Sequence, residues 1–183
     1  MVDKQKARQK YQNTVNNAQG QAFEGYIKAA CGYYERDKRA VIDKTPEPFR
    51  VIKKQRDGIF TGRFIALAQP DFQGTLSGGK SIVFEAKYTT TDRLKQGVLT
   101  QKQIEMLEFH AKLGAIAGVC GGIRDKFYFV PLGVWRDMKE RYGRKYVTQK
   151  DLEPYRVKFT GAVLFLDYMC EKGEATVEKN YFG

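Results

Sequence analysis

The chain has 183 residues, enough for one domain that buries about two-thirds of its unfolded surface and too few for a second independent core. Lys and Arg outnumber Asp and Glu 32 to 21, giving a net charge of +11, the electrostatic footprint of a polyanion binder. No apolar run approaches the roughly 20 residues that span a bilayer. Met1–Lys6 has no apolar segment behind its charges, and Cys31, Cys120 and Cys170 are odd in number and far apart. On these patterns a membrane span and a secretory leader are not expected, a disulfide framework and a structural zinc site are poorly supported, and a reducing cytoplasm is the expected setting.

Residues 1–16 carry Lys4, Lys6, Arg8 and Lys10 against Asp3 and read as a mobile basic arm, leaving 17–183 as a single domain. From Asn17 onward Phe23, Ile27, Ala30 or Cys31, and Tyr34 recur at helical spacing, with Asn16 or Asn17 as cap, and predict the first helix. Arg39 to Ile42 reads as a short strand, ended by Thr45-Pro46-Glu47-Pro48, whose prolines oppose both helix and central strand. Residues 49–69 hold Arg50, Lys53, Lys54, Arg56 and Arg63 against Asp57, with Gly58 and Gly62 breaking any period, and read as a basic projection.

Phe72–Leu76, then Ser77-Gly78-Gly79, then Lys80–Lys87 has the alternation and glycine turn of a hairpin. Gln101 to Leu113 spaces Ile104 and Leu107 as a helix does, with Gly114 as its stop. Ala115–Cys120 and Lys126–Val130 are β-rich runs separated by Gly121-Gly122, Val134–Tyr142 reads as a late helix, and the stretch from Gly173 has little periodicity.

The chemistry gathers at the hairpin. Period-two alternation along Ser81–Lys87 puts Ile82, Phe84 and Ala86 on one face and Val83, Glu85 and Lys87 on the other. If the loop is Ser77-Gly78-Gly79, Leu76 pairs with Lys80 and Asp71 falls opposite Glu85, with Cβ atoms about 5 Å apart. A two-residue turn would slip the register and send Asp71 to the other face. Opposed carboxylates repel unless a cation sits between them, and a hard divalent ion, magnesium or manganese, fits Asp71 and Glu85 as ligands. Phosphodiester hydrolysis needs an activated water and neutralisation of developing charge, which such an ion and Lys87 can supply. The alternative is that Asp71 is a turn residue and Glu85 and Lys87 form a solvated strand face.

Pro70-Asp71 followed by Glu85-Ala86-Lys87 matches the PD-(D/E)xK nuclease signature. The wider pattern resembles the RecU family of Holliday junction resolvases. It is carried in order by Gly20 with Phe23-Glu24, Ala40-Val41-Ile42 with Lys44 and Pro46, then Asp71 and Ile82–Lys87. It continues through Lys102–Met106, Gly114-Ala115-Ile116, Phe127-Tyr128-Phe129 and Leu166-Asp167-Tyr168. The resemblance implies an α/β fold with a central mixed β-sheet flanked by helices, a protruding stalk formed by 49–69, and a homodimer with two active sites. It also implies that Glu24 adds a third acidic group, that Gln103 supports the site, and that Lys44 occupies the family's basic position before the proline pair. A second activity on the strand-exchange recombinase is also compatible with it. Lys102 stands where relatives usually carry a histidine, and Pro70 where they often carry a hydroxyl residue.

Lys53, Lys54, Arg56, Arg63, Arg93 and Lys95 flank the site in sequence and, with Lys44, are candidate contacts for DNA phosphates. Tyr33, Tyr34, Phe60 and Phe64 are candidates to stack on unpaired bases, with at least half of them expected in the core. His110 has no partner acid and Trp135 reads as a packing residue. The reading is a homodimeric, magnesium-dependent endonuclease that nicks four-way DNA junctions in pairs. Its rivals are a restriction-type nuclease that reads base edges in duplex DNA and a non-catalytic junction-binding accessory protein.

Overall fold

The computed structural model describes the backbone of residues 2–46, 49–64 and 69–167, and the side chains of 17–46, 49–63 and 69–167. The first helix, α1 (Val2–Arg36), buries the expected stripe of Phe23, Ile27, Ala30, Cys31 and Tyr34. It begins well before Asn17: the backbone of 2–16 continues the helix where an arm was expected, and the side chains there lie outside the described residues.

After α1 come β1 (Ala40–Lys44), β2 (Phe49–Lys54), β3 (Phe60–Phe64), β4 (Phe72–Leu76), β5 (Ser81–Thr89) and β6 (Arg93–Lys95). Next are α2 (Gln101–Lys112), β7 (Ile116–Ile123), β8 (Lys126–Pro131), α3 (Leu132–Arg136) and α4 (Met138–Tyr142). The described chain ends with β9 (Tyr146–Thr148), α5 (Gln149–Leu152), β10 (Lys158–Phe159) and β11 (Val163–Leu164). The main sheet has the order β1-β4-β5-β7-β8, antiparallel except where β5 meets β7. A parallel neighbour needs a crossover, and α2 supplies it.

Both faces of the sheet are covered, which makes this a mixed α/β fold with the central sheet between helical layers. Ile82, Phe84 and Phe72 face α1, in a core shared with Ile27, Tyr34, Phe129 and Phe165. Val83 and Val119 face α2 and α3, among Leu107, Trp135 and Val130. Full burial of each large apolar side chain is worth about 2–3 kcal/mol relative to exposure. Trp135 has no exposure and packs as the sequence suggests, as does Tyr34; Tyr33 and Phe60 stay exposed, and the side chain of Phe64 lies outside the described residues.

Two expectations are corrected. Gly121-Gly122 does not separate two strands but lies inside β7, and the turn falls at Arg124-Asp125, with Arg124 at φ 56°. A Cβ at Gly122 would stand 2.5 Å from the Tyr88 ring, so the glycine is there for the close approach of β5. The late helix is two short ones, α3 and α4, because Asp137 (φ −91°, ψ 19°) leaves the helical path between them.

Residues 49–64 form a hairpin of their own, β2 on β3, with every described side chain from Phe49 to Thr61 exposed. Asp57 and Gly58 turn it in left-handed conformations (φ 61° and 76°). The glycines that hide a strand period in the sequence are thus the turn of the projection and a position packed under Phe49.

Candidate active site

The hairpin β4–β5 has the three-residue loop on which the register depends. Leu76 N–H donates to the Lys80 carbonyl at 2.8 Å, and Gly78 and Gly79 take φ of 91° and 85°, which residues with a Cβ rarely adopt. Phe72 pairs with Phe84 across the strands, and their rings stack at 5.1 Å with 6° between planes. Such a pair adds about 0.5–1.5 kcal/mol beyond its area and resists any slip of the strands. One step beyond it in the same register, Asp71 falls opposite Glu85 on the other face.

Asp71 Oδ2 accepts from the Ala86 N–H at 3.0 Å and from the Lys87 ammonium at 3.3 Å. Lys87 also donates to Glu85 Oε2 at 2.9 Å, so one cation bridges both carboxylates. Glu85 has no solvent exposure, and Gln103 Nε2 donates to the same Oε2 at 2.5 Å. Burial pushes the Glu85 carboxyl up to about 7; Lys87 opposes that rise and Asp71 adds to it. For Lys87 burial alone would lower the ammonium, but Glu85 and Asp71 outweigh it and the group is held above its ordinary range.

Glu85 Oε1 is buried and no donor among the described residues reaches it. An oxygen with two lone pairs and no partner in a dry site costs about 1–3 kcal/mol, and a hard cation is the partner that would remove the cost. The donor set therefore fits a divalent ion held by Glu85 and Asp71. Among the described residues no three His, Cys, Asp or Glu side chains gather as a metal cluster. Glu24 projects from α1, and its carboxylate is taken by the Lys44 ammonium. Lys44 pairs with Phe72 in the sheet and so lies one position from Asp71, engaged by Glu24.

Lys53, Lys54, Arg56 and Arg63 are exposed on the β2–β3 hairpin. Arg93 and Lys95 lie on β6, which pairs with β9 in a small ribbon whose inner residues Leu94 and Val147 are buried. Arg93 and Arg144 both stack over the Tyr146 ring, at 5.0 and 4.9 Å from its centroid. Arg144 and Tyr146 did not stand out in the sequence, because a strand of three residues is too short to show a period. Thr100 was also missed, although Thr100-Gln101-Lys102-Gln103 carries the capping-box pattern and does cap α2.

A carboxylate pair set across a central hairpin, with lysine two residues after the glutamate, is the site plan of a PD-(D/E)xK nuclease. Residues 18–171 match the RecU family model, described as Recombination protein U, and the chain belongs to that family of Holliday junction resolvases. Among solved structures it is similar to Hjc, a Holliday junction resolvase from the archaeal hyperthermophile Archaeoglobus fulgidus. That match has 17% identity and a TM-score of 0.40, over 75% of this chain and 98% of that one. No curated protein matches the chain.

Proposed function

We propose that this protein is a homodimeric endonuclease that resolves four-way DNA junctions by magnesium-dependent hydrolysis, giving paired nicks. The observation that carries the reading is the buried Glu85, set opposite Asp71, with one oxygen that no donor among the described residues reaches and Lys87 against the other. Asp71 and Glu85 would hold the ion, magnesium or manganese, which when bound lowers the pKa of a water and withdraws charge from the scissile phosphate.

Lys87 enters as an ammonium, since both carboxylates favour its charged form. With the carboxylates held by an ion, Nζ would be free to donate to a phosphate oxygen or to the attacking water. Gln103 keeps Glu85 Oε2 occupied and so holds the carboxylate in one orientation. Glu24 acts on the α1 side through Lys44. The β2–β3 hairpin, with Lys53, Lys54, Arg56 and Arg63 exposed, would serve as the stalk at the junction centre, and Arg93 and Lys95 on the ribbon would hold a duplex arm. Two copies related by a two-fold axis suit paired cuts on a pseudo-symmetric junction.

The test is cleavage of a synthetic four-way junction and a matched linear duplex, with magnesium or chelator, by the wild type and by Asp71→Ala. Paired nicks on the junction alone, lost in the variant while binding persists, are expected. Cutting of linear duplex at a fixed site would favour a restriction-type nuclease. Tight junction binding with no cutting by either protein would leave an architectural DNA binder.

A further inference from the structure

An amide beside a carboxylate can present either its NH2, which attracts, or its carbonyl, which repels. At Gln103 the choice is made outside the site. Gln103 Oε1 accepts from the Thr100 backbone N–H at 3.0 Å and from the Thr100 hydroxyl at 3.2 Å. The same hydroxyl accepts from the Gln103 N–H at 3.3 Å, closing the capping box of α2. A hydroxyl has one proton to donate and lone pairs to accept with, so both bonds are made at once. With its carbonyl anchored, the Gln103 amide has only Nε2 left for Glu85 Oε2, at 2.5 Å.

We propose that Thr100 is a positioning residue for the Glu85 carboxylate, acting through Gln103. Oε2 is then committed to Gln103 and Lys87, and Oε1 is the oxygen left for an incoming cation. The inference rests on the reading of Asp71 and Glu85 as the cation-holding pair. It also explains why the third position of this cap must be Gln: Glu caps a helix equally well, but here would set a carboxylate against Glu85.

Two substitutions separate orientation from helix capping. Thr100→Ser keeps both the acceptor and the donor. Thr100→Asp keeps an acceptor for the Gln103 N–H, and Asp ranks with the best N-caps, but its side chain has no proton for Gln103 Oε1, which keeps only the backbone N–H of residue 100 and now faces a negative charge. The first readout is the Gln103 side-chain NH2 signal in 15N–1H correlation spectra of the metal-free protein, assigned by its loss in Gln103→Ala. The second is manganese affinity by calorimetry, and the third is kcat on a four-way junction beside junction affinity.

Thr100→Asp is expected to move the NH2 signal and to weaken manganese binding and kcat roughly tenfold, with junction affinity and urea midpoint close to wild type. A charge effect alone would tighten manganese binding. Thr100→Ser is expected to match wild type throughout. An unmoved NH2 signal in Thr100→Asp, with manganese affinity and kcat unchanged, would overturn the proposal. A wild type that cuts no junction, while signal and manganese affinity respond as stated, would sink the junction reading and leave the role of Thr100 standing.

Discussion

The Lys87 ammonium lies 2.9 Å from Glu85 Oε2, and Glu85 has no solvent exposure. Burial raises the Glu85 carboxyl and Lys87, itself partly exposed, opposes the rise without cancelling it, so the stability of the metal-free protein depends on pH in an unusual sense for a carboxylate.

The Glu85 carboxyl is raised from 4.5 to about 7 by burial, with Lys87 opposing and Asp71 adding. A folded state that holds its proton more tightly than the unfolded chain has the associated stability fully present below about 4.5 and loses it as pH rises to about 7. At 1.36 kcal/mol per pK unit the loss is about 3 kcal/mol at most. In chelator, the urea midpoint of wild type should fall between pH 4.5 and pH 8 relative to Glu85→Gln, and magnesium should restore it at pH 8. Parallel pH profiles for the two proteins would count against a raised Glu85.

Lys87→Met removes the bridge and leaves Asp71 and Glu85 facing each other without a cation. Removing one partner of a buried pair costs about 3–5 kcal/mol at pH 8, less whatever Glu85 recovers by taking up a proton. Junction nicking should fall roughly 10²–10³-fold, the cost of losing one group that stabilises developing charge, while junction binding is retained. Equal kcat in the variant would remove Lys87 from the chemistry.

Phe84 has no exposure and stacks on Phe72 behind the carboxylates. Phe84→Ala should cost about 3–5 kcal/mol in urea unfolding, and because the aromatic pair resists strand slip, the Asp71–Glu85 register should loosen with it. Hydrogen exchange of the Ala86 amide, which donates to Asp71 Oδ2, should quicken in the variant. An amide as protected as in wild type would show that the turn alone sets the register.

The ribbon and the hairpin should differ in what they read. Lys95→Gln, on the exposed face of β6, should weaken junction and linear duplex alike and reduce the salt slope of binding by about 1. Lys53→Gln with Lys54→Gln, on the hairpin, should weaken the junction more than the duplex. Filter binding of both substrates across salt concentrations reads the difference, and equal losses from both variants would dissolve the division of labour.

The elements that carry the site were legible in the sequence because each is a local pattern. The stripe from Phe23 to Tyr34, the Gly78-Gly79 turn with alternation on both sides, and Gln101–Leu113 closed by Gly114 each need only a few neighbouring residues to declare themselves. Read as a three-residue loop, the turn also put Asp71 opposite Glu85, whereas a two-residue loop would have sent it to the other face, because loop length fixes hairpin register. Family likeness brought Glu24, Lys44 and Gln103 into view but not their arrangement. Which side chain meets which across long gaps was decided only by tertiary structure. Packing on both faces of β5 leaves Glu85 dry, α1 sets Glu24 on Lys44, and α2 brings Gln103 to Glu85 with its amide held by Thr100. The short pairing of β6 with β9 and the break at Asp137 belong to the same class. Three to five residues are too few to show a period, and their conformation is set by the surfaces against which they pack.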